Sequence, residues 1–193
     1  MKPLTRADLL SLEAYAQERS DFRARVIAHK KLRTVHMGEH FTFIFEDRLT
    51  TQYQVQEMLR IERIFEAQPI QDELDTYNPM IPDGHNLKAT LLIEYPDVEQ
   101  RKRELQRLRD VEHHLQLQVG KLPAVTAIAD EDLPRSNDEK TAAVHFLRFE
   151  LDDAMRAAWH AGADVSLAST LASEPLRAQL SAAQRNALAS DFA

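Results

Sequence analysis

Cysteine is absent from all 193 residues. Without a thiol the chain builds no disulfide, no thiolate-ligated zinc or iron–sulfur centre, and no cysteine nucleophile. That absence fits a cytoplasmic protein. Glycine is scarce, with four residues. They stand far apart at Gly38, Gly84, Gly120 and Gly162, so no Gly-rich phosphate loop can be assembled from them. The serines form no Gly-x-Ser-x-Gly elbow. No apolar run approaches the roughly 20 residues needed to span a bilayer. The start, Met-Lys-Pro-Leu-Thr-Arg-Ala-Asp, lacks an apolar signal core. The expectation is one soluble domain over 1–193 with no membrane contact.

Positive charge is also in deficit. Lys and Arg number 24 against 31 Asp and Glu, a net charge of −7, whereas binding nucleic acid through its phosphates wants a basic face. The one basic run, Arg101-Lys102-Arg103 with Arg107 and Arg109, is interleaved with Asp97, Glu99, Glu104, Asp110 and Glu112. Opposite charges three and four apart describe a solvated helix face. No nucleic-acid partner is expected.

The eight histidines raise the question of a metal. No Glu is followed by His three residues later, which removes the helix signature of ferritin-like di-iron sites. No His-Glu-x-x-His occurs either. His36 and His40 flank a turn at Gly38, and His113-His114 on a strand would point to opposite faces. His145 lies on an apolar strand face and reads as a core histidine with a satisfied hydrogen bond. A site assembled from distant His and Glu residues stays open. No cofactor and no metal are predicted.

What is present alternates between two periods. Thr5 with Asp8 signals a helix start, and Leu9, Leu10, Leu12 and Tyr15 give an apolar side to a helix ending near Arg19. Ser20 then caps a second helix carrying Phe22, Val26 and Ile27. Leu32 to Phe45 reads as a hairpin about a two-residue turn, Gly38-Glu39. That turn sets His36 opposite Phe41 and Thr34 opposite Phe43, with Phe41, Phe43 and Phe45 facing the core. A long helix follows from Glu46 or Asp47 to about Ala67, broken at Pro69, and a second carries Ile70, Leu74 and Tyr77. Strands are expected at Leu87–Tyr95, His113–Val119, Ala124–Ile128, Val144–Leu151 and Val165–Leu167. Helices are expected from Asp97 to Asp110 and from Asp153 to Ala161, with Trp159 as a packing anchor. Ala129 to Lys140 reads as an acidic exposed loop. Ser173 and Ser181 cap two closing helices. The fold class is α+β, a mostly antiparallel sheet with helices packed on one face.

The long helix carries the candidate site. On a wheel of about 100° per residue, Tyr53, Glu57, Ile61 and Ile64 share one side, which places Glu57 among apolar groups. Desolvation would raise its pKa unless a cation pairs with it. Arg60 stands one turn on, and Gln52, Gln56 and Arg63 line the adjoining stripe. Tyr53, Gln56, Glu57 and Arg60 form either a ligand pocket or a buried structural ion pair.

The stretches Phe45-Glu46-Asp47-Arg48-Leu49, Gln56 through Ile64, and Asn86-Leu87-Lys88-Ala89-Thr90-Leu91-Leu92-Ile93-Glu94-Tyr95-Pro96-Asp97 resemble a bacterial family catalogued as domain of unknown function 3501. Val144-His145-Phe146-Leu147-Arg148-Phe149 extends the match. The resemblance transfers no catalytic residue. It implies gene company with rubrerythrin-like proteins and iron–sulfur oxidoreductases, hence a redox or oxidative-stress setting. Two functional readings follow: a non-catalytic protein partner of such a redox system, with self-association open, or an enzyme or small-ligand or metal binder using the Glu57 region.

Overall fold

The computed structural model describes residues 1–129, 131, 133–137 and 139–192. Ser11, rather than Thr5, opens the first long helix. Its Oγ accepts from the Ala14 N–H at 3.2 Å, and α1 (Leu12–Lys31) runs unbroken through Ser20. Thr5 and Asp8 do form a capping box, but around a single 3-10 turn, Arg6–Asp8. The expected break at Ser20 is absent because Tyr15, Phe22 and Val26 lie on one buried stripe at helical spacing, and that packing outweighs one potential cap.

β1 (Thr34–Met37) and β2 (Phe41–Glu46) form the hairpin, with Val35 opposite Phe43 and Met37 opposite Phe41. The turn therefore has three residues, Gly38-Glu39-His40, with Gly38 at φ 69°. A one-residue change of register moves every side chain of β1 to the other face. Val35 and Met37, in place of the expected Thr34 and His36, share the core with Phe41, Phe43 and Phe45.

Asp47 caps α2 (Arg48–Glu62). The helix stops earlier than expected, at Arg63 in the left-handed region (φ 57°). α3 (Ala67–Tyr77) begins before Pro69, which sits in the first turn where a missing N–H costs no helical bond. A 3-10 turn, Asn78–Met80, closes α3. Then come β3 (Asn86–Ile93), α4 (Val98–Arg107), β4 (Leu115–Val119), β5 (Val125–Thr126), β6 (Ile128–Ala129), β7 (Val144–Glu150), α5 (Asp153–His160), β8 (Val165–Ser169), β9 (Leu176–Gln179) and α6 (Ala182–Ala189). His113 and His114 end a 3-10 turn ahead of β4. Ser173 precedes β9 where a helix was expected, while Ser181 with Gln184 makes the expected capping box. The expected loop from Ala129 to Lys140 lies partly outside the described residues.

The class is α+β, and the antiparallel strands divide between two sheets. One has the order β1-β2-β3-β7-β6, the other β5-β4-β8-β9. The chain steps from the second sheet to the first at Ala127, between β5 and β6. At the opposite edge Leu176 of β9 packs at the Gly38 turn. The main core fills the space between the sheets, where α4, α5 and α6 add Leu105, Met155, Trp159 and Leu188. α1, α2 and α3 form a separate layer with apolar clusters of their own. That layer lies over the outer face of the first sheet.

One buried arginine joins these parts. Arg33 is fully buried. Its Nε donates to the Phe45 carbonyl (2.9 Å), and Nη2 donates to the Glu46 carbonyl (3.1 Å) and to Asp191 Oδ2 (2.5 Å). Nη1 donates to the Ala187 carbonyl at 3.3 Å and stands 3.6 Å from Asp47 Oδ2. Asp47 also takes His29 Nε2 at 2.5 Å. Burial works to raise the Asp47 carboxyl, but Arg33, the Thr50 N–H and His29 together hold it below its usual value. Asp191 differs. Its Oδ1 is buried with no hydrogen-bond partner among the described residues, and burial pushes its carboxyl up to about 6 against the pull of Arg33.

Asp191 therefore takes up a proton in the folded state at a pH where the unfolded chain still holds it ionised. Its charged form costs stability above about pH 6, and that cost is relieved as pH falls toward 4. Stability of the native chain relative to Asp191→Asn, measured by urea denaturation, is expected to rise by roughly 1–3 kcal/mol between pH 7.5 and pH 4. A difference that is flat with pH, or falls, would contradict the raised carboxyl.

Candidate functional site

The outer face of the first sheet is a grid of three strands. Glu46 of β2 pairs with Lys88 of β3, and Lys88 pairs with Arg148 of β7. The next row runs Ile44, Thr90, Phe146, and the next Thr42, Leu92, Val144. All have the parity opposite to the core positions, so a strand with one wet face would present them to solvent. The helical layer covers part of this face, while Val144 at its far corner stays exposed. Glu46 and Thr90 are buried, and Lys88 is half-buried.

Between this grid and the end of α3 lies a cleft of about 530 Å³. Its charged lining is Glu46, Lys88, Glu131, Arg135 and Arg148, and its apolar lining includes Tyr77, Met80 and Phe146. A smaller recess of about 280 Å³ continues it toward Thr50, Thr51 and Gln54 of α2, sharing Glu46, Tyr77, Met80 and Phe146. Tyr77 and Met80 come from α3 and its terminal turn, so the position of that helix end fixes the height of the cleft.

The charges in the cleft differ in how far they are satisfied. Arg148 is engaged, its Nε donating to Glu131 Oε2 at 2.8 Å and Nη2 to Oε1 at 2.6 Å, with Glu150 as a further partner. Arg135 lies over the Phe146 ring, 4.5 Å from its centroid. Glu46 accepts a hydrogen bond from Thr90 Oγ1 at 2.8 Å, the sole one to its side chain among the described residues. The Lys88 side chain forms no hydrogen bond and no ion pair among the described residues. Burial pushes its amine below the usual lysine value, while the Glu131 carboxylate pulls the other way and Arg148 adds to the depression. Cross-strand neighbours have Cβ atoms about 5 Å apart, so one small molecule can meet both Lys88 and Glu46.

The residues expected to form either a pocket or a structural ion pair gather elsewhere, at the contact of α1 and α2, in the second arrangement. Glu57 accepts from Arg19 Nε (Oε1, 2.8 Å) and Nη2 (Oε2, 2.9 Å), from Tyr15 Oη (Oε1, 2.7 Å) and from Arg60 Nη2 (Oε2, 3.3 Å). The Arg19 bonds hold its carboxyl down to about 2, overcoming burial. Gln56 is fully buried and clamps the Leu10 backbone, its Oε1 accepting from the N–H at 2.6 Å and its Nε2 donating to the carbonyl at 3.4 Å. Tyr53 stacks on Phe22 with ring centroids 6.0 Å apart. These four side chains join two helices, and none lines the cleft.

A further polar cluster is enclosed in the core. Thr141 Oγ1 donates to Glu112 Oε2 at 3.1 Å and accepts from His145 Nε2 at 3.0 Å, and Ser136 Oγ bonds Glu112 Oε1. Glu112, Thr141 and His145 are at most 1% exposed, so this cluster ties chain segments together out of a ligand's reach. Among the described residues no three His, Asp or Glu side chains gather to hold a metal ion. No helix among them is long and apolar enough to cross a membrane.

Glu46 and Lys88 escape a sequence reading that sorts strand positions into core and solvent. The signal that would have found them is Ile44, Leu92 and Phe146 on the same face. Apolar residues at those positions mean that a second layer covers the sheet.

No curated protein is similar to this chain. Residues 3–192 match the model of a family described as Protein of unknown function (DUF3501), and the chain belongs to that family. The chain is also similar to a novel protein of unknown function from Burkholderia pseudomallei K96243, known from a crystal structure. The two share 50% identity over 100% of both chains, with a TM-score of 0.94.

Proposed function

We propose that this member of the DUF3501 family binds a small, partly apolar molecule in the cleft over β2, β3 and β7. The observation that carries this reading is the Glu46–Lys88 pair. An amine and a carboxylate on neighbouring strands, each short of partners, face the same concave space. Both are only partly shielded from water, and a ligand that accepts from Lys88 and donates to Glu46 replaces water at both at once. The walls offer Tyr77, Met80 and Phe146 to an apolar body, the usual division of labour in a small-molecule site. The ligand's polar head is uncharged or zwitterionic, because Glu46 and Lys88 together carry no net charge. Fragments with an apolar ring and a carbonyl or hydroxyl head, titrated by heteronuclear NMR, are expected to shift the amides of Glu46, Lys88 and Phe146. Lys88→Met and Phe146→Ala are each expected to weaken binding by about tenfold or more. Shifts confined to other parts of the fold would refute this assignment.

A second reading has support at a different place. Ile61 and Phe65, at the end of α2 and just beyond it, are 61% and 71% exposed. Phe65 lines a recess of about 360 Å³ together with Leu9, Leu12, Leu59, Ile64 and Ile70. An exposed apolar corner of this kind suits a protein surface. It is where the expected redox partner, an iron–sulfur oxidoreductase or rubrerythrin-like protein, would dock. Co-expression with such a partner and pull-down should give a complex that Phe65→Asp weakens by about tenfold or more. Complex formation indifferent to Phe65 would place docking elsewhere.

A further inference from the structure

We infer that the cleft captures an aldehyde by forming a reversible imine with Lys88, with Glu46 moving the protons. This rests on the reading of the cleft as a small-molecule site. Four observations support it. Lys88 Nζ lies in the cleft without an ion-pair partner among the described residues. Glu46 is its direct cross-strand neighbour on the same face. The Glu46 side chain is engaged by Thr90 alone among the described residues, which leaves carboxylate capacity for a further partner. Tyr77, Met80 and Phe146 form an apolar wall for the body of the ligand.

The choice of an aldehyde over an oxo acid follows from the charges. An oxo acid needs a cation for its carboxylate. Arg148 is already bound by Glu131 and Glu150, and Lys88 is consumed by the reaction itself. An aldehyde needs no anion site. Its carbonyl carbon is open on the side of the hydrogen, so it can approach an amine standing between two neighbouring strands.

The chemistry balances without an oxidant or reductant. The neutral amine of Lys88 attacks the carbonyl carbon. A C–N bond forms, and the π pair moves onto oxygen. Glu46 takes a proton from the nitrogen and passes it to the oxygen, which gives the carbinolamine. A solvent water then supplies, through Glu46, the proton that the departing hydroxyl needs. The C–O bond breaks, water leaves, the nitrogen lone pair completes the C=N bond, and the iminium N–H gives its proton to the hydroxide left by that solvent water. Amine and aldehyde become imine and water. Burial keeps a larger share of Lys88 neutral than of a solvated lysine, and only the neutral amine attacks.

The test uses benzaldehyde with sodium cyanoborohydride near pH 7, which reduces an imine to a stable benzyl-amine, followed by peptide mass spectrometry. Benzyl alcohol, which fits the same space but forms no imine, is titrated in parallel by NMR. The expected result is one benzyl group per chain, on Lys88, added about tenfold or more faster than on the exposed Lys102 and Lys121. Lys88→Arg, which keeps the charge and cannot form the imine, is expected to lose that label while the fold is retained. Glu46→Gln is expected to slow labelling by about 10-fold to 100-fold, more than its loss of benzyl alcohol affinity measured in the same variant accounts for. Benzyl alcohol binding in the cleft with labelling spread over the lysines by exposure would overturn the imine and leave the binding site standing. If neither compound engages the cleft, both the imine and the site on which it rests fall.

Discussion

The Arg33 guanidinium is the joint on which the outer face of the first sheet depends. It follows the end of α1, holds the carbonyls of Phe45 and Glu46, faces the carboxylate that caps α2, and ties in Asp191 near the C-terminus. A buried arginine surrounded by two carboxylates and three carbonyls is not a cheap way to gain stability, since desolvation offsets much of the attraction. What the arrangement secures is geometry. It fixes the angle at which β2 passes into α2, and hence where Glu46 sits relative to the helical layer. Removing the guanidinium would leave Asp47 and Asp191 buried without their cation, and an uncompensated buried charge costs about 3–5 kcal/mol.

The helical layer gives Glu46 and Lys88 their character. On a sheet with one wet face this pair would be an unremarkable cross-strand ion pair worth a few tenths of a kcal/mol to about 1 kcal/mol. Under α2 and the end of α3 the same residues are partly stripped of water. α2 holds its place through the polar seam to α1, in which Glu57 gathers Arg19, Tyr15 and Arg60 while Gln56 grips the Leu10 backbone, and α3 packs on α2 through Leu59, Ile70 and Leu74. This seam thus acts on the cleft at a distance, by positioning α2 above it.

Legibility followed the physics of each element. The alternation Phe41, Phe43, Phe45 and the run His145, Leu147, Phe149 identified core faces correctly, because a period of two has one interpretation when one side is strongly apolar. The hairpin register did not follow, since two- and three-residue turns about Gly38 both suit the sequence and tertiary packing of Val35 and Met37 decides between them. Ser20 and Ser173 offered caps that the fold declined. A cap is worth about 1 kcal/mol, less than the burial of Phe22 on a continuous α1 or the pairing of β9 along β8. The wheel placed Glu57 among apolar groups in need of a cation, Arg60 or an arginine of another element, and both are found, but that the second is Arg19, 38 residues away along the chain, no local spacing reports. The cleft escaped because its floor comes from three strands and its wall from α3, and the one cue to a covering layer, the outward-facing Ile44, Leu92 and Phe146, is spread over those three strands.

The account stands on the Lys88 amine being desolvated and without a carboxylate partner inside the cleft. Competitive labelling of all lysines with acetic anhydride across pH, read peptide by peptide, measures this directly through the midpoint of each reactivity curve. The account predicts that the Lys88 midpoint falls below those of Lys102 and Lys121, and that Glu131→Gln lowers it further by removing the carboxylate that pulls it up. A Lys88 midpoint at or above those of the exposed lysines would mean that the amine is solvated or ion-paired, and the cleft would lose the feature that distinguishes it.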